Sequence, residues 1–199
     1  MGLARLVLRG TIGALFVGHG LQKLTGQFGG EGLEGTARNF ERLGLRPGMQ
    51  HARAAGLAET GGGALLALGL ATPAAVAALS GSMFTAIRTV HWRNGPWVTR
   101  GGYEYNLLLL GALAAIAEEG PGRLSLDALR GRQRKGVVWA VGALGAGALA
   151  STVALRWAER HAATEQEAPD AAVPVEHAAP AERPAPARPV ERREPVGAL

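Results

Sequence analysis

The chain has 199 residues, a formal net charge of +5 and no cysteine, which excludes disulfides, thiolate metal sites and a cysteine nucleophile. From Glu159 onward eight acidic residues outweigh five Arg, a net −3, so subtracting this from +5 leaves +8 on the first 158 residues. These basic residues are scattered between apolar runs without a basic helix or an aromatic stacking motif, which favours an anionic bilayer over nucleic acid as the partner.

The first predicted membrane span covers residues 3–21, an apolar stretch that contains Arg5 and Arg9. Their aliphatic stems can follow apolar surface while the guanidinium groups reach the interface, so we expect both side chains to snorkel. A basic start and the apolar run of residues 11–18 are also typical of a signal peptide. No A-x-A-like cleavage site follows, because the chain continues GHGLQKL, and an uncleaved span is preferred.

Residues 29–48 separate this span from the next and carry many charges. Within them Leu33, Ala37, Phe40 and Leu43 recur at helical spacing, and Gly44 follows the pattern. This periodicity predicts a short interfacial helix that lies over the mouth of a bundle. A surface loop with one or two helical turns is the alternative.

A charge-free stretch of residues 60–87 is too long for one span and is interrupted at Pro73. Proline lacks the N–H that a continuing helix needs and clashes with the preceding turn. We therefore predict two antiparallel helices, residues 53–71 and 74–91, joined by a tight turn at Thr72–Pro73. A further span is predicted at residues 104–117, which include the sequence YNLLLLGALAAIA.

Residues 136–155 carry no charge and have cationic residues on both sides, which makes them the clearest span of about 20 residues. The predicted fold class is an all-α integral membrane protein: a four-helix transmembrane bundle plus one additional C-terminal transmembrane helix. A soluble helical bundle is the competing interpretation. The predicted units are the bundle (1–130), the added helix with its basic flank (131–157) and a disordered tail rich in Pro, Ala, Glu and Arg (158–199).

Polar and ionisable residues inside or next to these spans are costly, and each is therefore a candidate functional residue. Because the chain turns back at Pro73, all of them are expected near one membrane face, in a pocket roofed by the amphipathic segment and by residues 92–103. The candidate pocket residues are His19, Lys23, Glu59, Arg88, His91, Glu104 and Asn106.

Two interpretations of this pocket remain open. A carboxylate, an imidazole and a cation near one mouth could bind a quinone carbonyl and exchange protons with it. The same groups could instead form a buried network that fixes the register of the helices. Haem or metal ligation by His19 and His91 lacks a recognised ligand spacing, so no metal site is predicted.

Three segments resemble the DoxX family of small four-helix membrane proteins. They are RLVLRGTIGALFVGHGLQKLTG, GLAETGGGALLALGLATPAAVAAL, and GGYEYNLLLL followed by GPGRLSLD, which together fall within about residues 5–130. The resemblance implies a four-helix membrane bundle, with some members associated with quinone-linked oxidation of reduced sulfur compounds and others with membrane complexes that handle oxidative stress. The family's polar positions correspond here to His19, Lys23, Glu59 and Glu104, whereas the fifth span and the tail depart from the pattern.

The leading hypothesis is a multi-pass protein of the cell membrane that acts as a quinone-interacting subunit of a redox system. Glu59 would handle protons, His19 would hydrogen-bond the ligand, and Lys23 would tune the charge. No cofactor site is evident within the chain, so quinone is expected as a substrate and a soluble or membrane redox protein as a partner. Enzymatic activity is left open.

Two other functions compete with this hypothesis. The first is a non-catalytic scaffold that recruits a soluble enzyme through the tail or through residues 92–103. The second is a small-solute permease, which would need homo-oligomerisation to supply a path across the membrane because the polar residues gather on one side. The orientation in the membrane is also open.

Overall fold

The computed structural model describes residues 2–167, and every regular element within them is helical. The predicted all-α class is confirmed for this part of the chain. In chain order the helices are α1 (Gly2–Thr25), α2 (Gly32–Arg42), α3 (Gly48–Leu68), α4 (Thr72–Ala86), α5 (Glu104–Glu119), α6 (Leu126–Leu129) and α7 (Val137–Glu167). A π-helical turn, Ile87–His91, continues α4. Short 3-10 turns lie at Gln27–Gly29, between α1 and α2, and at Trp92–Asn94 and Val98–Arg100, between α4 and α5.

Each predicted span contains a helix, although two boundaries were wrong. Helix α3 begins at Gly48 rather than at residue 53, so its first turn belongs to the polar segment that precedes the predicted span. Helix α7 runs to Glu167 rather than ending near residue 155. The predicted tail therefore begins as helix, since its first residues are Ala, Glu and Arg, which are good helix formers. Residues 168–199 lie outside the described part of the chain.

The turn between α3 and α4 explains how the chain reverses direction. Gly69 ends α3 in the left-handed conformation (φ 62°), and Ala71 also has a positive φ of 48°. Pro73 then occupies the first turn of α4, where a missing N–H costs nothing and the fixed φ suits the helix. The predicted tight turn between the two helices is confirmed, but it lies at residues 69–71, and Thr72 and Pro73 begin α4.

Glycines allow α1 and α3 to pack with their backbones in contact. A Cβ added to Gly13 would lie 2.5 Å from the carbonyl oxygen of Gly63, and one added to Gly63 would lie 2.6 Å from the carbonyl oxygen of Gly13. Real Cβ atoms do not approach backbone oxygens so closely, so only glycine fits at either position. Small residues permit the same close approach between helices in membranes.

A polar clamp, made by Arg9, Thr72 and Asp127, closes one end of the bundle. The carboxylate of Asp127 accepts hydrogen bonds from Ala71 N (3.0 Å), Thr72 N (3.1 Å) and Thr72 Oγ1 (3.2 Å). Arg9 is 2% exposed and donates to the carbonyl oxygens of Ala67 (2.9 Å) and Leu124. The prediction that Arg9 snorkels was wrong, because its side chain is buried and donates to these carbonyls inside the protein.

Helix α7 packs against α4 and α5 and completes the bundle. A Cβ at Gly147 would lie 2.1 Å from Ser80 Oγ, so glycine permits the close approach of α7 to α4. The buried core lies between α1, α3, α4, α5 and α7. Its largest members include Ile12, Phe16, Leu66, Val76, Leu79, Met83, Leu110, Leu113 and Ile116.

Among residues 2–167, one helix, Val137–Thr164, is long and apolar enough to cross a membrane by length and composition. Only 22% of its most apolar 18-residue window is buried, which is unlike the core helix of a soluble protein. Helices α4 and α5 contain 15 and 16 residues, fewer than the roughly 20 of a straight span. Length and composition therefore support one of the five predicted spans.

Candidate functional site

A cavity of about 540 Å³ lies between α1, α3, α4, α5 and α7. Its wall is mostly apolar, with small side chains such as Ala54, Ala58 and Ala78 leaving the space open. Phe40 and Leu43, from α2 and the residue after it, also line the cavity, so the predicted amphipathic helix exists and contributes to its wall. The volume falls within the roughly 300–1,000 Å³ of small-molecule sites.

An ion pair is set into this apolar wall. Lys23 Nζ lies 2.6 Å from Glu59 Oε2, and the pair joins the end of α1 to the middle of α3. The Glu59 side chain is 7% exposed and that of Lys23 is 25% exposed, so the ammonium reaches solvent while the carboxylate does not. The pair therefore holds an ammonium and a carboxylate side by side in the cavity wall.

Two histidines also line the cavity, but both rings have local partners. His19 is exposed, and its Nδ1 lies 3.0 Å from Oε1 of Gln22 on the same helix. His91 Nδ1 lies 2.6 Å from the carbonyl oxygen of Gly101, to which it donates, and so fastens the loop that follows α4. Neither ring contacts Glu59 directly.

Asn106 is the remaining predicted residue in the cavity wall. It is buried in the first turn of α5, and its Nδ2 lies 3.5 Å from the sulfur of Met83 on α4. A thioether is a weak acceptor, so the amide has capacity for a stronger hydrogen bond. Asn106 therefore adds a second polar group that a bound ligand can use.

The structure places the other two predicted residues elsewhere, so the cavity wall contains five of the seven. Arg88 is exposed and donates from Nη1 to Thr152 Oγ1 (3.0 Å) across the α4–α7 interface. Glu104 accepts from Val98 N (2.7 Å) and orders the loop before α5. That loop, residues 92–103, was predicted to roof the pocket, but none of its residues lines the cavity.

His51 is a cavity residue that sequence reasoning missed. It is 7% exposed, its ring centroid lies 5.0 Å from that of Trp157 on α7, and its Nε2 has no hydrogen-bond partner among residues 2–167. His51 precedes the predicted span of residues 53–71. Burial lowers the pKa of His51, a hydrogen bond with the Arg46 backbone opposes that shift, and the charge of His161 adds to it. Burial therefore disfavours the charged form of this imidazole.

The metal-ligating residue types do not converge. Within residues 2–167, no three His, Asp or Glu side chains form a group that could hold a metal ion. Sequence spacing likewise offered no metal motif.

Comparison with known protein families finds a match in the first half of the chain. The DoxX family model matches residues 4–92. These residues belong to the DoxX family. The match contains α1 to α4 and the π turn, whereas the resemblance noted in the sequence extended to about residue 130. No curated protein and no solved structure matches the chain significantly.

The cavity extends beyond the matched DoxX region. His19, Lys23, His51, Glu59 and His91 lie within that region, and Asn106 lies outside it. Helix α7 contributes a further wall through Ala150, Ser151 and Ala154. Ser151 Oγ accepts from Thr85 Oγ1 (2.9 Å), so a hydrogen bond ties the added helix to the DoxX helices beside the cavity.

Proposed function

We propose that this DoxX-family protein is a multi-pass integral membrane protein whose cavity binds the head group of a quinone. The observation that carries the proposal is the Lys23–Glu59 ion pair, held in the wall of an otherwise apolar cavity of about 540 Å³. An apolar pocket with a small number of placed polar groups is the usual form of a small-molecule site. A subunit role in a redox system follows if the bound quinone exchanges electrons with a partner protein.

Apolar side chains on the outer surface support several membrane spans. Leu3, Val7 and Leu15 of α1 are exposed, as are Leu57 and Leu68 of α3, Leu107 and Leu108 of α5, and Val138, Val141, Leu149 and Val153 of α7. Soluble proteins rarely expose contiguous apolar patches of this extent. Helix α4 continues through the π turn, so its 15 residues and the five of Ile87–His91 give 20, enough for a span.

The ion pair supplies the polar contact that a quinone needs. An ammonium has three N–H donors, and the contact with Glu59 uses one of them. The other donors can reach a ligand carbonyl, and a charge-assisted hydrogen bond is stronger in an apolar cavity than in water. Glu59 would act mainly by holding Lys23 beside the cavity, which differs from the proton-handling role predicted from sequence.

The test is quinone binding by the purified full chain in lipid nanodiscs, measured by calorimetric titration with decylubiquinone. We expect the wild-type protein to bind and Glu59→Gln to bind about tenfold more weakly, since Lys23 loses the partner that positions it. Glu118→Gln is the matched control, because Glu118 is an exposed carboxylate on α5. A third variant, Ala58→Phe, fills the cavity and should abolish binding.

Each arm addresses a different part of the proposal. Absence of binding by the wild-type protein would reject quinone as the ligand. Equal binding by wild type and Glu59→Gln would reject the role of the ion pair. Unchanged binding by Ala58→Phe would place the ligand outside the cavity.

A further inference from the structure

The cavity has a polar end and an apolar end. On α1 its lining residues run from Ile12 to Lys23, about 16 Å along the helix axis at 1.5 Å per residue. Lys23 and its partner Glu59 mark the polar end, whereas Ile12, Leu15 and Phe16, two to three turns deeper along α1, are apolar. The cavity therefore suits an amphiphile, a molecule with a polar head and an apolar tail.

The volume of the cavity exceeds what a quinone ring alone needs. An apolar cavity of about 150 Å³ holds a benzene ring, and this cavity measures about 540 Å³. Its wall is mostly apolar, so a further polar group placed there would lose its hydrogen bonds to water. The remaining space is therefore suited to an aliphatic chain.

Helices α1 and α5 are joined at one end and enclose the cavity toward the other. At the end that holds the polar clamp, Arg5 of α1 forms an ion pair with Glu119 of α5, with Nη2 and Oε2 2.5 Å apart. Along the rest of their length, α1 packs mainly against α3, whereas α5 packs against α4 and α7. Residues of both helices line the cavity, which therefore extends into the space between them.

Exposed lining residues show where the cavity opens. Leu15 of α1 and Tyr105 of α5 line the cavity and are nevertheless 51% and 46% exposed. Leu15 lies in the middle of α1, at the depth of the hydrocarbon in the proposed membrane placement. Leu43 and Val90 are also exposed lining residues, but they lie toward the polar end. Because an apolar chain is more stable in lipid than in water, the opening beside Leu15 suits a tail.

We infer that the cavity takes a long-tailed quinone directly from the bilayer, with the head group at the Lys23–Glu59 pair and the tail leaving between α1 and α5 past Leu15. This inference rests on the proposed function and names the class of quinone. The ligand is a quinone dissolved in the membrane, rather than a short-chain quinone that enters from water. Leu15 belongs to the rim of the tail subsite and takes no part in chemistry.

The experiment uses decylubiquinone that carries a photoreactive diazirine at the end of its decyl tail. The full chain in lipid nanodiscs is irradiated with this probe, digested and mapped by mass spectrometry, with and without an excess of unmodified decylubiquinone. We expect the excess to remove label from the middle of α1, around Leu15, and from the first half of α5. Competition confined to α2 or to residues 92–103 would overturn the inference, because the tail would then leave toward water.

A second measurement locates the tail by fluorescence. The chain has no cysteine, so Leu15→Cys provides a single attachment site for a bimane fluorophore. Decylubiquinone with a bromine atom at the end of its tail should quench this fluorophore, and the loss of fluorescence should saturate where calorimetry shows binding. Leu107→Cys is the matched control, because Leu107 is also 51% exposed, lies on α5 and does not line the cavity. Its fluorescence should fall only in proportion to the quinone dissolved in the lipid.

The outcomes separate this inference from the proposed function. Equal quenching at the two positions, while calorimetry still shows binding, would overturn the tail path and leave quinone binding intact. Absence of binding in the calorimeter would overturn the proposed function and this inference together.

Discussion

Asp127 and Glu59 are buried to the same extent, 6% and 5% exposed, in two different parts of the helix bundle. Asp127 belongs to the polar clamp with Arg9 and Thr72, where its two oxygens accept three hydrogen bonds, two of them from backbone N–H groups. Glu59 lines the cavity and has one hydrogen-bond partner within residues 2–167, the side chain of Lys23. The two carboxylates are therefore equally buried, but Asp127 accepts three hydrogen bonds whereas Glu59 accepts one.

This difference separates a structural role from a functional one. In the clamp, both oxygens of Asp127 accept hydrogen bonds and Arg9 donates to two carbonyl oxygens, while Arg9 Nε has no partner among residues 2–167. In the cavity wall, the Lys23 ammonium has N–H donors that Glu59 does not use, and the Asn106 amide donates only to the weakly accepting sulfur of Met83. His51 Nε2 has no hydrogen-bond partner among residues 2–167. Polar groups with unused capacity around a cavity are the ones that a ligand can satisfy.

The largest effect on stability is expected from the clamp. Asp127→Ala removes three hydrogen bonds and leaves two backbone N–H groups without their acceptor, so we expect a loss of about 3 kcal/mol in the free energy of unfolding. Glu59→Gln should cost much less, because the partly exposed Lys23 can turn toward water. Equilibrium unfolding in mixed micelles measures both variants against wild type, and equal losses would contradict the comparison.

For quinone affinity we expect the opposite order to that for stability: the substitution at Glu59 should have the larger effect and the one at Asp127 the smaller. Any Asp127→Ala protein that remains folded should bind decylubiquinone with the wild-type affinity, because Asp127 does not line the cavity. Glu59→Gln should remain folded and lose affinity. A clamp variant that folds but fails to bind would show that the two regions are coupled.

The sequence predicted the clamp and the cavity to different degrees. The turn near Pro73 was predicted, but nothing in the sequence spacing indicated that Asp127 accepts hydrogen bonds from its backbone. Glu59 stood out because it is an isolated carboxylate in an apolar run. Its pairing with Lys23 depends on the close approach of α1 and α3, which only the packed structure provides.

His51 escaped prediction for a similar reason. It lies in the polar segment GMQHAR, whose residues 49–52 precede the predicted second span of residues 53–71. Its burial depends on Trp157, more than 100 residues later, in a part of α7 that follows the predicted fifth span of residues 136–155. Arg88 and Glu104 were predicted in the pocket because depth along a helix can be read from sequence, whereas the direction of a side chain around the helix is harder to read.

The contact between α1 and α3 gives a prediction of intermediate size. Gly13→Ala places a Cβ 2.5 Å from the Gly63 carbonyl oxygen and 2.7 Å from Ala67 N, both backbone atoms, so the helices must separate. We expect a loss of about 2 kcal/mol in unfolding free energy. Because the Lys23–Glu59 pair spans the same interface, decylubiquinone binding should weaken as well.

Gly61 is the matched control for this substitution. It lies on α3 with open space around its Cα, since an added Cβ would meet nothing within 4 Å. Gly61→Ala should therefore be neutral or stabilise the helix by up to about 1 kcal/mol. Equal effects of the two substitutions would contradict the account of close packing.

The smallest effect is expected at Arg88, which lies outside both polar regions. Its guanidinium is exposed and contacts Thr152 on the α4–α7 interface, so Arg88→Gln should change the unfolding free energy by no more than about 0.5 kcal/mol. Decylubiquinone affinity should also match wild type, because Arg88 does not line the cavity. The same nanodisc titration checks this, with Lys23→Gln as the cation variant that should bind less. A loss of affinity in Arg88→Gln comparable to that in Lys23→Gln would return Arg88 to the ligand site.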